Sequence, residues 1–339
     1  MIYKDILNRL LERQDLEREQ MLALMRALMG GELLPEQIAA AVIALRCKGE
    51  TVTEIAAAAE VMRELSAKVE VADRSHLVDT CGTGGDSLHT FNISTTAAFV
   101  AAACGARVAK HGGRAVSSGS GSADVLEHLG LSLDLGPQRV GELIDRIGLG
   151  FLFAPKHHSA MRHAAPVRKA LGVRTLFNLL GPLTNPAGAP NQLLGVFSRT
   201  LTRKMAEALQ TLGSRHAMVV HGADGLDEIT LSGETFVAEL RDGQLREYTL
   251  TPERFGIARA DLAAIRVDGV VPSAQVLREV LAGTPGPAAD IVALNAGAAV
   301  YVAGIASSLE DGVARAQRSL DDGSAAARLE ALLRESQDL

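Results

Sequence analysis

Residues Val78 to Thr96 hold the chain's most suggestive chemistry. An apolar approach, His76-Leu-Val-Asp79, leads into Gly82, Gly84 and Gly85. Asp86 follows, and Asn92 to Thr95 opens an apolar helix from Ala97 to Ala103. Glycines let backbone N–H groups approach phosphate oxygens, and the first turn of a helix adds unpaired donors and a positive dipole end. The pattern suits an anion. It is neither a Walker A sequence nor G-x-G-x-x-G, and a plain tight turn accounts for the same residues.

Three further stretches point the same way. Lys110-His-Gly-Gly-Arg114 through Ser117, Ser118, Gly121 and Ser122 offers two cations, several hydroxyls and flexible glycines before a helix from Ala123. Such a loop can fold over a polyphosphate, although a surface glycine-serine loop has the same composition. Asp227-Glu228 follows the strand-like run Ala217 to His221. Adjacent acids after a strand suit Mg2+, a hard cation that keeps several waters, and they also occur on solvated loops. Arg168 lies on a stretch rich in histidine, where its fork can take a carboxylate bidentately or make a surface ion pair. His157, His158 and His163 are expected in solvated or hydrogen-bonded positions, since their spacing closes no metal site. Cys81 beside the glycine turn has no His or Asp partner by spacing and reads as a small strand-end filler. With no Ser-His-Asp or Cys-His arrangement, the expected chemistry is a phosphate leaving group handled by metal and positioning.

These residues need elements to hold them. Apolar spacing predicts helices from end to end of residues 1 to about 70. Ile6, Leu7, Leu10 and Leu11 form one stripe, and Met21, Leu24, Met25 and Leu28 a second. A third helix starts at Pro35 and closes at Gly49, and the capping pattern Thr51-x-x-Glu54 opens a fourth. From about residue 75 short apolar runs alternate with helices, the mark of an α/β domain. Strands are expected at Leu77–Thr80, Arg107–Lys110, Gly150–Phe153, Leu193–Phe197 and Ala217–Val220. A hairpin is expected about Asp242-Gly243. Pro155 to Pro190 breaks this rhythm: 157–172 reads as one helical stretch and Asn178 to Pro186 as an irregular loop. The fold class is therefore α/β, with a helical domain over 1–72, an α/β domain over 75–339, and part of 160–190 returning to the helices.

Composition narrows the function. The 339 residues are 47% apolar and 3% aromatic, so Ala-rich helices packed closely on a sheet are expected. A net charge of −6 gives no basic footprint for nucleic acid. No window reaches the ~20 apolar residues of a membrane span. The charged, amphipathic start is not that of a signal peptide, and three scattered cysteines read as reduced thiols of a cytoplasmic protein.

Taken together and in order, Gly82-Thr-Gly-Gly-Asp86, Asn92-Ile-Ser-Thr95, Lys110-His-Gly-x-Arg114 with Ser117-Ser118-x-Ser-Gly121, Asn178-Leu-Leu-Gly-Pro-Leu-Thr-Asn-Pro186 and Asp227-Glu228 resemble the anthranilate phosphoribosyltransferase family over the whole chain. The resemblance implies a small helical domain on a larger α/β domain, a fold shared with pyrimidine nucleoside phosphorylases. It implies a homodimer joined through the helical domain, and transfer of phosphoribose from phosphoribosyl pyrophosphate to anthranilate. By the family's pattern Gly82, Gly85, Asp86, Thr90, Asn92, Ile93, Ser94 and Thr95 bind the donor. So do Lys110, His111, Gly112, Gly113, Arg114, Ala115, Val116, Ser117 and Ser118 of a closing loop, and Ser122. Gly82, Gly113 and Arg168 match anthranilate contacts. Ser94, Asp227 and Glu228 match positions for Mg2+, two ions being expected. Gly113 departs from the pattern, which has Asn there, and Gly119 stands where a larger residue is common. Two other readings remain: a nucleoside phosphorylase of the same fold, and a non-catalytic nucleic-acid binder, which would want a basic face.

Overall fold

The computed structural model describes residues 3–86, 88–115 and 119–337. Four helices come first: α1 Tyr3–Leu11, α2 Arg18–Met29, α3 Pro35–Lys48 and α4 Val52–Glu64. Pro35 begins α3, where a missing amide costs nothing, and Gly49 at φ 90° ends it. Thr51 caps α4 reciprocally. Its hydroxyl accepts from the Glu54 amide at 3.2 Å, and its own amide donates to the Glu54 carboxylate at 2.8 Å. Glu54 also accepts from the Leu16 amide and from Lys48, so one buried carboxylate ties α4 to the α1–α2 turn and to α3.

The α/β part runs β1 Leu77–Gly82, α5 Ile93–Ala103, β2 Arg107–Gly112, α6 Ser122–His128, α7 Pro137–Ile147 and β3 Leu149–Phe153. After the short helices α8 Ala154–His157, α9 Ala165–Leu171 and α10 Phe177–Leu180 come β4 Asn191–Gly195, α11 Leu201–Thr211 and β5 His216–Gly222. The hairpin strands are β6 Thr235–Arg241 and β7 Gln244–Leu250. Helices α12 Val270–Leu281, α13 Pro287–Val302, α14 Leu309–Asp321 and α15 Ser324–Glu335 end the chain. The seven strands order as β3-β2-β1-β4-β5-β6-β7. The first five are parallel and the last two antiparallel. Asp242 (φ 48°) and Gly243 (φ 77°) turn the hairpin, the left-handed pair that matches strand twist.

Both faces of the parallel sheet are covered, which is why its strands read as continuous apolar runs. One face carries α5 and α12 to α15. There α13 and α14 cross closely: a Cβ on Gly297 would lie 2.5 Å from the Val313 backbone. The other face carries α11, the N-terminal helices and residues Ala164 to Leu183 in one apolar cluster. Strand order reverses between β1 and β4, the place where open α/β sheets leave a ligand crevice at the strands' C-terminal ends.

Three expectations need correction. Asn178 to Pro186 is not wholly irregular, since α10 extends through Leu180 and a 3-10 turn follows at Gly181–Leu183. Residues 157–172 are not one helix: α8 and α9 are separated by a 3-10 turn, Ser159–His163. His158 lies outside helical geometry at φ −115° and ψ 57°. Pro166, one residue into α9, has no amide to continue the preceding turn. The fourth strand is shifted two residues back, to Asn191–Gly195, because the chain must leave the sheet at Gly195 to let another loop cross.

Candidate active site

Four neighbouring strands end in glycine: Gly82 on β1, Gly112 on β2, Gly195 on β4 and Gly222 on β5. The reason is steric. A Cβ on Gly195 would lie 1.5 Å from the Asp227 carbonyl oxygen, and one on Gly82 would lie 2.5 Å from the Asp227 carboxylate. The loop after β5 therefore folds over the ends of β1 and β4 and delivers its acids to the crevice.

The glycine turn meets that loop directly. Gly84 and Gly85 both have positive φ, 65° and 80°. The Gly84 amide donates to Asp227 Oδ2 at 2.8 Å, and the Thr83 amide to the Gly195 carbonyl at 2.9 Å. At the start of α5 the Ser94 amide donates to Glu228 Oε1 at 3.1 Å. Asn92, just before, is fixed by its own side chain. Its Oδ1 accepts from the Ser273 hydroxyl at 2.7 Å and from Ser120 at 3.1 Å. The Thr95 hydroxyl is buried without a partner among the described residues. Ile93 is core, Asp86 accepts from the Leu88 amide, and Thr90 bridges to Arg266.

Charge is out of balance here. Asp227 is partly open to solvent and Glu228 nearly closed off. Burial, then the neighbouring charges of Asp86 for one and Asp227 for the other, push both carboxyls well above the usual range. Lys110 is buried and pulled down by burial, against the attraction of Asp79, Glu228 and Asp227. Its ammonium donates to the Thr80 carbonyl at 2.5 Å and lies 3.4 Å from the Ser94 hydroxyl. One ammonium does not balance Asp86, Asp227 and Glu228, so the cluster favours an added cation. Among the described residues no three acids, histidines or cysteines close a metal site by themselves. Two carboxylates and a hydroxyl leave the remaining positions to water and substrate oxygens, as Mg2+ prefers.

The loop after β2 doubles back tightly. The Ala123 amide donates to the Gly113 carbonyl at 3.1 Å, and the Ser122 hydroxyl reaches the same oxygen at 3.4 Å. The Ala115 amide donates to Asp124. Arg114 is turned to α6, where Asp124 and Glu127 engage its guanidinium at 2.9 and 2.7 Å. A Cβ on Gly113 would meet none of the described residues within 4 Å. Val116, Ser117 and Ser118 lie outside the described residues.

Arg168 is half-buried, with its guanidinium over the Phe177 ring at 5.4 Å and in no ion pair among the described residues. The histidines are less solvated than their polarity suggests. His157 and His158 are buried, and His163 packs at Gly31. His157 Nδ1 lies 3.0 Å from the Ala67 carbonyl, while the rings of His111 and His158 bond the backbone at Gly181 and Thr184. In all three Nε2 is buried without a partner among the described residues. Burial pushes all three below the ordinary imidazole value, His158 to about 4. Cys81 is buried, its thiol pushed well up by burial, and Gln192 donates to its sulfur at 3.0 Å. It fills a strand end and is no nucleophile.

Two further residues stand at this site without having been singled out by the sequence. Asp79 is a buried acid whose Oδ1 accepts from the His111 amide. Arg174 donates to the Gly85 carbonyl. An acid inside an apolar strand was the visible hint for the first; only tertiary contact marks the second.

Family models match both parts of the chain. A glycosyl transferase family helical bundle domain covers residues 4–66, and a glycosyl transferase family a/b domain covers 74–326. Anthranilate phosphoribosyltransferase of Chromobacterium violaceum is 60% identical, over 98% of this chain and 97% of its own. That of Thiobacillus denitrificans is 59% identical, over 96% and 95%. The crystal structure of the Thermus thermophilus enzyme superposes with a TM-score of 0.93 at 49% identity, over 98% of this chain and 99% of the other. The Saccharomyces cerevisiae enzyme in complex with PRPP and Mg gives 0.89 at 28% identity, over 99% and 98%.

Proposed function

This chain belongs to the anthranilate phosphoribosyltransferases of the glycosyl transferase family, and from that membership we propose which of its residues do what. It transfers the 5-phosphoribosyl group of phosphoribosyl pyrophosphate to the amine of anthranilate, giving N-(5-phosphoribosyl)anthranilate and pyrophosphate in tryptophan biosynthesis. The observation that carries the site assignment is the pair of bonds from Gly84 to Asp227 and from Ser94 to Glu228. They make the glycine turn, the α5 N-terminus and the acid pair one cluster.

The donor's pyrophosphate lies on the Gly82–Gly85 amides and the first turn of α5, with Asp86, Thr90 and Asn92 to Thr95 around it. Mg2+, held by Ser94, Asp227 and Glu228 and entering with the donor as two ions, supplies positive charge at the departing pyrophosphate. Complexes of the yeast enzyme with Mg, and with PRPP and Mg, support that reading. Lys110 adds a fixed charge on the same side, and His111 to Ala115 with Ser122 line the donor. Arg168 takes the anthranilate carboxylate; its half-buried guanidinium, in no ion pair among the described residues, supports this, and the yeast enzyme's complex with 4-fluoroanthranilate supports an anthranilate-like acceptor. The bond from C1 to the pyrophosphate oxygen breaks, the bond from C1 to the amine nitrogen forms, and the amine gives up one proton. An arylamine needs no prior deprotonation to attack a C1 of oxocarbenium character, so placement in a dry cleft contributes most.

The same reading divides the chain into a helical domain, 1–72 with part of 160–190, and an α/β domain, 75–339. It has two copies meeting through the helical domain, where Leu11 and Leu34 stand more than half exposed. No described helix is long and apolar enough to cross a membrane. A cytoplasmic location accords with three free cysteines. The test is a fluorescence assay: anthranilate emission should fall with Mg2+ and phosphoribosyl pyrophosphate, at a rate proportional to enzyme. No loss over a wide range of both substrates would sink the assignment, and phosphorolysis of a pyrimidine nucleoside would replace it.

A further inference from the structure

Two arginines, one on α9 and one between α9 and α10, are in no ion pair among the described residues. Arg168 is one, assigned above to the acceptor. Arg174 is the other, and no role follows for it from the sequence. It is exposed, yet held at two points, the Gly85 carbonyl and the Phe197 ring. Its guanidinium donates to the Gly85 carbonyl, stacks on the Phe197 ring with its carbon 4.1 Å from the centroid, and packs 3.2 Å from where a Gly85 Cβ would stand. Phe197 is itself tied to the turn, its amide donating to the Thr83 hydroxyl at 3.1 Å.

The other cations nearby are committed. Lys110 donates to the Thr80 carbonyl, and Arg114 is paired with Asp124 and Glu127. Arg174 is in no ion pair among the described residues. An uncompensated guanidinium fixed against a glycine turn is an anion site, because stacking pre-orients its fork while its remaining N–H groups stay available.

We propose that Arg174 binds the pyrophosphate of the donor from the outer side of the Gly82–Gly85 turn. This rests on the phosphoribosyl transfer assigned above. The segment 168–174 then divides its charge between the two substrates, Arg168 for the anthranilate carboxylate and Arg174 for the donor's leaving group.

The test is calorimetric binding of phosphoribosyl pyrophosphate and of pyrophosphate, each with Mg2+, to the full chain and to R174A, R174Q and R174K, alongside steady-state kinetics. Loss of a charge-assisted contact should weaken both ligands about tenfold in R174A and R174Q, with KM for the donor rising in step. KM for anthranilate should change less than about twofold, and raised salt should weaken donor binding less in R174A than in the unaltered chain. R174K should recover part of the affinity, since it keeps the charge and loses the stacked fork. A merely structural arginine would lower both substrates' use together, without that salt difference. Donor and pyrophosphate affinities within about twofold of the unaltered chain in the folded variants would overturn the proposal while leaving the transferase intact. Failure of the unaltered chain to transfer at all would remove the parent assignment and this one with it.

Discussion

The Gly84 amide donates to the Asp227 carboxylate at 2.8 Å, although 143 residues separate them. The phosphate cradle and the metal acids thus form one hydrogen-bonded unit with no ligand needed to join them. The arrangement stores charge repulsion. Burial and neighbouring acids raise both Asp227 and Glu228, and an acid raised by folding costs stability as pH climbs from its ordinary value through the folded one. Glu228→Gln should therefore raise the melting temperature measured without Mg2+, by about 1–3 °C at pH 8.5 and less at pH 5. The same change should raise KM for the donor at least about tenfold, because the cation site is lost. A variant that melts lower than the unaltered chain at both pH values would refute the stored repulsion. Unchanged donor kinetics would remove the metal role.

Gly195 makes the crossing of this loop possible. An alanine there would put its methyl 1.5 Å from the Asp227 carbonyl oxygen, and backbone cannot yield cheaply. Gly195→Ala should cost about 3 kcal/mol or more by denaturant unfolding, and the folded remainder should use the donor poorly. Wild-type stability in this variant would mean that the loop has room the structure denies it.

Much of this was legible in the sequence, and the reasons differ by feature. The glycine turn, the helix start at Asn92 and the acid pair were readable because each is a local device with its own composition. The hairpin was readable because Asp242-Gly243 supplies the positive φ values its turn requires. The glycines ending β1, β2, β4 and β5 were visible as residues but not as a set. For Gly82 and Gly195 the cause is the crossing of the Asp227 loop, a relation between segments far apart in the chain, while Gly112 and Gly222 make room for Ser122 and Phe151 and for Asp224 and Thr230. The broken helix at 157–172 was missed because its apolar spacing resembles a helix, while His158 and Pro166 interrupt the backbone. The clamp of Arg174 on Gly85 left no trace in either stretch.

Gly113 is the departure with most bearing on the acceptor. Its backbone has no positive φ, and a Cβ there meets none of the described residues within 4 Å, so a side chain fits among them without strain. Gly113→Asn should leave the melting temperature within about 1 °C and lower KM for anthranilate severalfold, as an added amide bonds the acceptor. KM for the donor should stay put. Should the donor's KM move instead, position 113 would belong to the donor side of the cleft.

The buried imidazoles predict an acid limit. Burial, with some repulsion from His157 and Lys68, pushes His158 from an ordinary 6.5 down to about 4. A site depressed by folding takes its proton more readily in the unfolded chain, so falling pH favours unfolding. The stability held in neutral His158 is complete above about pH 6.5 and lost as pH falls toward about 4, at up to ~1.4 kcal/mol per pH unit. His111 and His157, lowered for the same reason, add to the slope. Melting curves between pH 7 and pH 4.5 should fall steeply for the unaltered chain. His158→Asn retains an N–H for the Thr184 backbone and cannot take up a proton in this range. Its melting temperature should be lower at pH 7, where the fit of the imidazole is lost, and should fall less on acidification. Parallel curves for the two proteins would mean that His158 is not the group whose protonation opens the fold.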